Sequence, residues 1–388
     1  MIVRSGLDAL PATLVRGKRV GVVTNPTGID RAFRRTAAVL AERGAVVVAL
    51  FGPEHGYHSA EQAGVPIAGE GRDAATGAPV YSLYPVHDGD AHAFGPPAGS
   101  LDGLDVLVFD IQDVGARYYT YPSTLGILME RVPLPIIVID RPNPIGGALV
   151  EGPTLDPAFR SFVGRYPVPV RHGLTLGELA TLVNDRFLDG HADLTVVSME
   201  GWRREVLFDA TGLPWVPPSP NIPTPETTLL YPGTCLFEGT NLSLGRGTTR
   251  PFEMIGAPWI DPPEFAGALR ALDLPGLAFR ETFFKPAFDR FVGEICGGVQ
   301  VHITGEGRRA GAPGIVRSGL AMVATALRLY PEPFTWLPAH FDRLIGGDSP
   351  RRLLTGSGGD AAALTPLFAR WERGEGAFRA LRQSFLRS

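Results

Sequence analysis

The sequence predicts an α/β protein: a Rossmann-like N-terminal domain built on a mostly parallel sheet, followed by a smaller α+β domain. Three observations carry this. Short, nearly continuous apolar runs recur in the first part of the chain, as expected of strands buried on both faces of a parallel sheet. Segments with apolar residues at helical spacing separate some of these runs, giving the βαβ pattern of a doubly wound sheet. The alternation then stops at a Pro-rich stretch, beyond which strands and helices mix without regular order.

In chain order, RVGVVT (residues 19–24) is a β-branched run closed by the turn residues NPTG, and RAFRRTAAVLAER follows as a helix. AVVVALF (45–51), LDVLVFD (104–110) and LPIIVID (134–140) read as further strands. STLGILMERV reads as a helix with Ser123 as its N-cap. GLTLGELATLVNDRF pairs Thr175 with Glu178 three residues on, a capping box opening an amphipathic helix, and ADLTVVSM adds a strand. GLPWVPPSPNIPTPETTLLYPG (212–233) is too rich in proline for regular helix or central strand, so the boundary is placed there, with domains at 1–228 and 229–388 and a cleft between them. GGVQVHIT, IVRSGLAMVATALRLY and LTPLFARWERGEGAFRALRQSF supply a strand and helices of the second domain.

The chain has 388 residues and a formal net charge of -4, so nothing basic points to nucleic acid or an anionic membrane. No run approaches a membrane span and the opening lacks a signal-peptide core. As written it reads as cytoplasmic, or as secreted or periplasmic if a leader has been trimmed. The two cysteines, Cys235 and Cys296, have no metal-ligand spacing and are read as small buried residues.

Ligands of open α/β sheets bind beyond the carboxyl ends of the strands. Four such ends, TNPTG, GPEHGYH, DIQDVGARYYTY and DRPNPIGG, are dense in polar and charged residues. None carries a dinucleotide or P-loop fingerprint, and GEG (69–71) does not follow a strand, so no nucleotide cofactor is expected. Glu54, His55 and His58 lie close in sequence, yet the eight histidines form no zinc pattern, and no metal is expected. Carboxylate chemistry fits better. Glycoside hydrolysis needs one carboxyl to protonate the leaving oxygen and a second to attack the sugar or activate water. Glu54, at the tip of a strand, suits one; Asp110, Asp113, Glu130 and Glu151 compete for the other. Tyr118, Tyr119 and Tyr121 could stack on pyranose rings, and Arg117, Arg141 and Asn143 could bind hydroxyls or a carboxylate.

Together GVVTNPTG, LFGPEHGY, VFDIQDVGARYYTY, DRPNPIGG with EGP, PSPNIPT, YPGTCLFEGTNLSLGRGTTRPFE and GAPW resemble the NamZ family, over nearly the whole chain. The resemblance implies an exo-β-N-acetylmuramidase without a cofactor. Its substrate would be terminal N-acetylmuramic acid at the non-reducing ends of peptidoglycan fragments, cleaved in a cleft between two domains. It implies a catalytic pair, Glu54 and Glu130, with Glu151 in reserve. Asn25, His55, Asp113, Arg117, Tyr119, Tyr121, Arg141, Asn143, Asn221, Glu238, Asn241, Arg246 and Thr248 complete the candidate substrate-binding set, and Arg117 or Arg246 would meet the lactyl carboxylate. His58 departs from the family pattern, where an arginine is common, and so does Ala63-Gly64-Val65, where AGE is common. A non-catalytic muropeptide-binding protein and a metal-dependent hydrolase remain as alternatives.

Overall fold

The computed structural model describes residues 2–67, 71–84 and 94–387. Residues 69 and 70 of the GEG stretch therefore lie outside the described residues. A short helix, α1 (Gly6–Ala9), precedes β1 (Arg19–Thr24), α2 (Thr36–Glu42), β2 (Val46–Gly52), β3 (Val80–Ser82), β4 (Val106–Asp110), α3 (Thr120–Arg131) and β5 (Ile136–Ile139). A small ribbon, β6 (Glu151–Thr154) with β7 (Pro169–Arg171), leads to α4 (Leu176–Phe187) and β8 (Leu194–Val197). Among the described residues six strands form one parallel sheet in the order β3-β2-β1-β4-β5-β8. Thr24 is level with Asp110, so the ends of β1 and β4 share one edge.

The apolar runs of β1, β2, β4 and β5 are continuous because these strands are covered on both faces. Val20, Val22, Leu50, Val106, Val108, Ile137 and Ile139 pack with Leu7, Val39 and Leu40 of α1 and α2 on one side. Val23, Phe51, Leu107, Phe109 and Val138 pack with Leu125 and Leu128 of α3 and Leu179 and Leu182 of α4 on the other. This second core runs on without a break into the rest of the chain, taking in Phe237, Phe265, Val299, Val323 and Phe341.

That remainder comprises α5 (Pro225–Thr234), β9 (Met254–Ala257), α6 (Pro262–Arg270), β10 (Leu277–Phe284), β11 (Cys296–Ile303), α7 (Gly305–Arg309), α8 (Ile315–Leu329), α9 (Pro338–Ile345), α10 (Ser349–Gly356) and α11 (Thr365–Arg382). β10, β11 and β9 form an antiparallel sheet in that order. No helix among the described residues is long and apolar enough to cross a membrane.

Thr175 and Glu178 form the capping box that opens α4. Two expectations need correction. Ser123 does not cap α3: the helix starts at Thr120, and the Ser123 hydroxyl is buried inside it without a partner among the described residues. The Pro-rich segment does contain regular helix, because Pro225 occupies the first turn of α5, where its missing N–H costs nothing, and Pro232 falls near its end. Residues 228 and 229, on either side of the expected boundary, both lie within α5.

Candidate active site

The chain leaves β2 through a tight turn that fixes Glu54. His55 takes the left-handed conformation at φ 72° and Gly56 follows at φ 85°, an uncommon pairing for a non-glycine residue that holds the strand tip in one shape. Glu54 is only 7 % exposed. Its Oε1 accepts the Gly64 N–H at 3.0 Å, while Oε2 has no hydrogen bond and no cation pairs with the carboxylate among the described residues. His55 Nδ1 lies 2.8 Å from the Glu61 carbonyl. A carbonyl only accepts, so Nδ1 carries the proton and Nε2 is left as an acceptor. Burial lowers the pKa of His55, the nearby Glu54 charge offsetting part of this, and the ring is neutral at neutral pH.

Glu54 and His55 open on a cavity of about 780 Å³. The strand-tip loops and the β4–α3 connection (Tyr118 to Thr120) form one side, the Pro-rich segment (Ser219, Asn221, Ile222) another. The wall opposite comes from the C-terminal region, through Glu238, Arg246, Phe288 to Arg290, and His340. Asn221 donates to Gln62 Oε1 at 2.8 Å, joining two of these walls. Aromatic rings supply much of the apolar surface: Phe94 and Phe162 stack at 4.2 Å with Tyr84 beside them, and Tyr119 meets Tyr231 edge-on.

Glu238 sits in a short 3-10 turn following α5. Arg246 Nη2 donates to its Oε1 at 2.6 Å and His340 Nε2 lies 3.1 Å from its Oε2. Burial alone would raise its pKa; Arg246 and His340 more than reverse this and hold it at about 2. One cavity thus carries an anionic carboxylate braced by an arginine and a histidine and a second carboxylate with a single backbone donor.

The same architecture recurs in known proteins. Residues 20–226 match the model for the N-terminal region of exo-β-N-acetylmuramidase NamZ and residues 229–387 match the model for its C-terminal region. This chain belongs to the NamZ family. It is 46% identical over 353 residues to the peptidoglycan β-N-acetylmuramidase NamZ of Bacillus subtilis, spanning 89% of this chain and 82% of that one. Two crystal structures of DUF1343 family proteins from Bacteroides fragilis superpose with TM-scores of 0.85 and 0.77, at 34% and 31% identity. The first covers 99% of this chain and 98% of its own, the second 100% and 99%.

Of the residues that the NamZ resemblance singled out, Glu54, His55, Tyr119, Asn221, Glu238 and Arg246 line the cavity. The others do not. Glu130 lies ten residues beyond Thr120 along α3, about 15 Å at the helical rise, and is held there by Arg160, Arg165 and Tyr166. Glu151 accepts the Gly314 N–H and lies near Arg171, bracing the N-terminal region against α8. Arg141 clamps Asp110 through two hydrogen bonds, and Thr36 donates to the same carboxylate, so the β1/β4 crevice is filled by the protein itself. Asn25 donates to the Tyr121 hydroxyl, which in turn donates to the Pro218 carbonyl, fastening the Pro-rich segment to the sheet. Arg117 donates to the carbonyls of Pro153, Val168 and Leu344. Asp113 accepts the Gly115 N–H, and burial pushes its pKa up to about 7. Asn143 shapes the neighbouring turn, where Gly115 has φ 82° and a Cβ would meet Asn143 Oδ1 at 2.2 Å. Asn241 bridges to Pro333 and Thr335, and Thr248 closes its own turn on Gly245. His58 is exposed and outside the cavity, so it does not join Glu54 and His55.

Sequence reasoning passed over His340, Arg290 and the Tyr84–Phe94–Phe162 cluster. His340 and Arg290 carry no local signal, since folding brings them to the cavity from far along the chain.

Proposed function

We propose that this protein is an exo-acting β-N-acetylmuramidase that releases N-acetylmuramic acid from the non-reducing ends of peptidoglycan fragments, with its active site in the cavity beside Glu54. The observation that carries this reading is the pair of carboxylates in opposed settings on one cavity. Glycosidic cleavage requires such an asymmetry: one group donates a proton to the departing oxygen, the other stays ionised. Glu54, buried and without a cationic partner among the described residues, suits the acid. Glu238, held anionic by Arg246 and His340, suits the second role in place of Glu130. The Tyr119 ring and the Tyr84–Phe94–Phe162 cluster offer apolar surface for sugar rings, while His55 Nε2 and the Asn221–Gln62 pair offer polar contacts to hydroxyl or acetamido groups. The cavity volume falls within the range of small-ligand sites, about 300–1,000 Å³.

The test is sugar release from a chromogenic N-acetylmuramide. Glu54→Gln and Glu238→Gln are each expected to lose about 10²- to 10⁴-fold in kcat, with circular dichroism unchanged, while Glu130→Gln stays near the wild-type rate. An unimpaired Glu54→Gln enzyme would remove Glu54 from catalysis, and a folded but inactive Glu130→Gln would restore the original pair. Tight calorimetric binding of muropeptide by wild type without turnover would make the cavity a receptor rather than an enzyme.

A further inference from the structure

N-acetylmuramic acid differs from N-acetylglucosamine by a lactyl ether ending in a carboxylate, so a site for the former must meet one additional negative charge. That requirement holds on the muramidase reading of the cavity. Neither arginine suggested by the sequence is available for that charge: Arg117 is outside the cavity lining and spends donors on three carbonyls, and Arg246 is committed to Glu238. Arg290 differs from both.

Arg290 lies on the connection between β10 and β11 and lines the cavity. Its Nη1 donates to the carbonyls of Phe237 and Leu242, at 3.0 and 2.5 Å, and its Nη2 to the carbonyl of Glu238 at 2.8 Å. Three neutral acceptors orient the guanidinium without cancelling its charge, and among the described residues it makes no ion pair. The backbone that presents it is equally constrained: Asp289 and Phe291, on either side, adopt φ values of 71° and 57°. Such conformations are uncommon for residues with a side chain and persist where the surroundings fix them. The loop is also tied to the Arg246 loop, through Ala287 N–H to the Gly247 carbonyl at 2.9 Å.

A guanidinium has five N–H donors. The three carbonyls use three, leaving one on Nε and one on Nη2, the adjacent nitrogens that grip a carboxylate side-on. Of the anionic groups nearby, Glu238 is paired with Arg246, and Asp289 is exposed and outside ion-pair distance. We propose that Arg290 is the specificity-determining residue of the cavity, receiving the lactyl carboxylate of N-acetylmuramic acid through Nε and Nη2.

The experiment compares two chromogenic N-acetylmuramides, one with the free lactyl acid and one with its neutral methylamide, on wild type, Arg290→Gln and Arg290→Lys. Wild type is expected to favour the acid in kcat/KM by about ten- to a hundredfold, the worth of a charge-assisted hydrogen-bonded pair, expressed in KM. Arg290→Gln is expected to bring that preference towards unity, and Arg290→Lys to keep a part of it, since an ammonium retains charge but not the two-pronged geometry. Thermal midpoints monitor folding. If Arg290→Gln does not fold, Arg290→Lys carries the test, and an undiminished preference there overturns the proposal. Full preference in a folded Arg290→Gln, or no preference in wild type, also overturns it while the muramidase reading stands. Hydrolysis of neither substrate by wild type overturns the reading itself.

Discussion

Glu238 is a half-buried carboxylate kept charged by two neighbours. Its pKa of about 2 means that it is ionised throughout the ordinary working range, so its titration places no acidic limb on the rate above roughly pH 3. Arg246→Gln removes the largest lowering influence. The expected outcome is an upward shift of the acidic limb of kcat/KM towards the ordinary carboxylate range near pH 4, read from a pH–rate profile of variant against wild type. An unmoved limb would detach Arg246 from the ionisation of Glu238. Glu54 was legible in the sequence because a charged residue at the tip of an apolar strand belongs at the ligand edge of a parallel sheet. Arg290 and His340 were not, because their importance lies in the Glu238 side chain and carbonyl that they reach across the fold. Arg117 and Arg141 misled for a related reason: an arginine beside a strand end serves equally well to satisfy buried carbonyls or a buried aspartate, and sequence does not separate these uses.

Among the elements, β1, β2, β4 and β5 were legible as runs, since burial on both faces writes itself into consecutive residues, and the edge strand β8 was legible from its β-branched LTVV despite being only partly buried. The three-residue β3 was missed. It exists by pairing with Leu50 to Gly52 and is too short to carry a period of its own. The proline content of α5 masked a helix that begins with Thr224 as its cap. α4 shows how much one cap can fasten: the Thr175 hydroxyl accepts the Glu178 N–H and donates to Asp140, whose other oxygen accepts the Gly177 N–H. Thr175→Ala is expected to cost roughly 1–2 kcal/mol in a denaturant titration, with Thr175→Ser recovering most of it. A variant as stable as wild type would show that the box contributes nothing net.

For the whole molecule, the core shared by both regions leads to one unfolding transition in which far-UV and tryptophan signals coincide. Its response to acid depends on buried groups of opposite sign. His172 is fully enclosed, its Nδ1 accepts the Leu174 N–H, and burial together with Arg382 and Arg117 lowers its pKa to about 3. The unfolded chain therefore binds a proton below about pH 6.5 that the folded chain refuses until about pH 3. The resulting stability is complete above 6.5 and lost as pH falls. Asp113 and Asp140, raised to about 7, act the other way and favour the folded state as pH falls from 7 towards 4. Comparing wild type with His172→Gln isolates the histidine: relative to the variant, wild type is expected to lose up to about 1.4 kcal/mol per pH unit between 6.5 and 3. A difference independent of pH would mean that His172 titrates alike folded and unfolded.

The packing of α11 has a consequence for how the protein is made. Glu375 accepts the Gly152 N–H from 223 residues further along the chain, and Arg382 donates to the His172 and Gly173 carbonyls. The ribbon of β6 and β7 is thus translated long before its cover exists. A nascent chain can assemble the parallel sheet early, but it carries that uncovered ribbon until α11 has emerged from the ribosome. Since the cavity also draws walls from before and after α5, hydrolytic competence arrives late in synthesis, after most of the chain has been made.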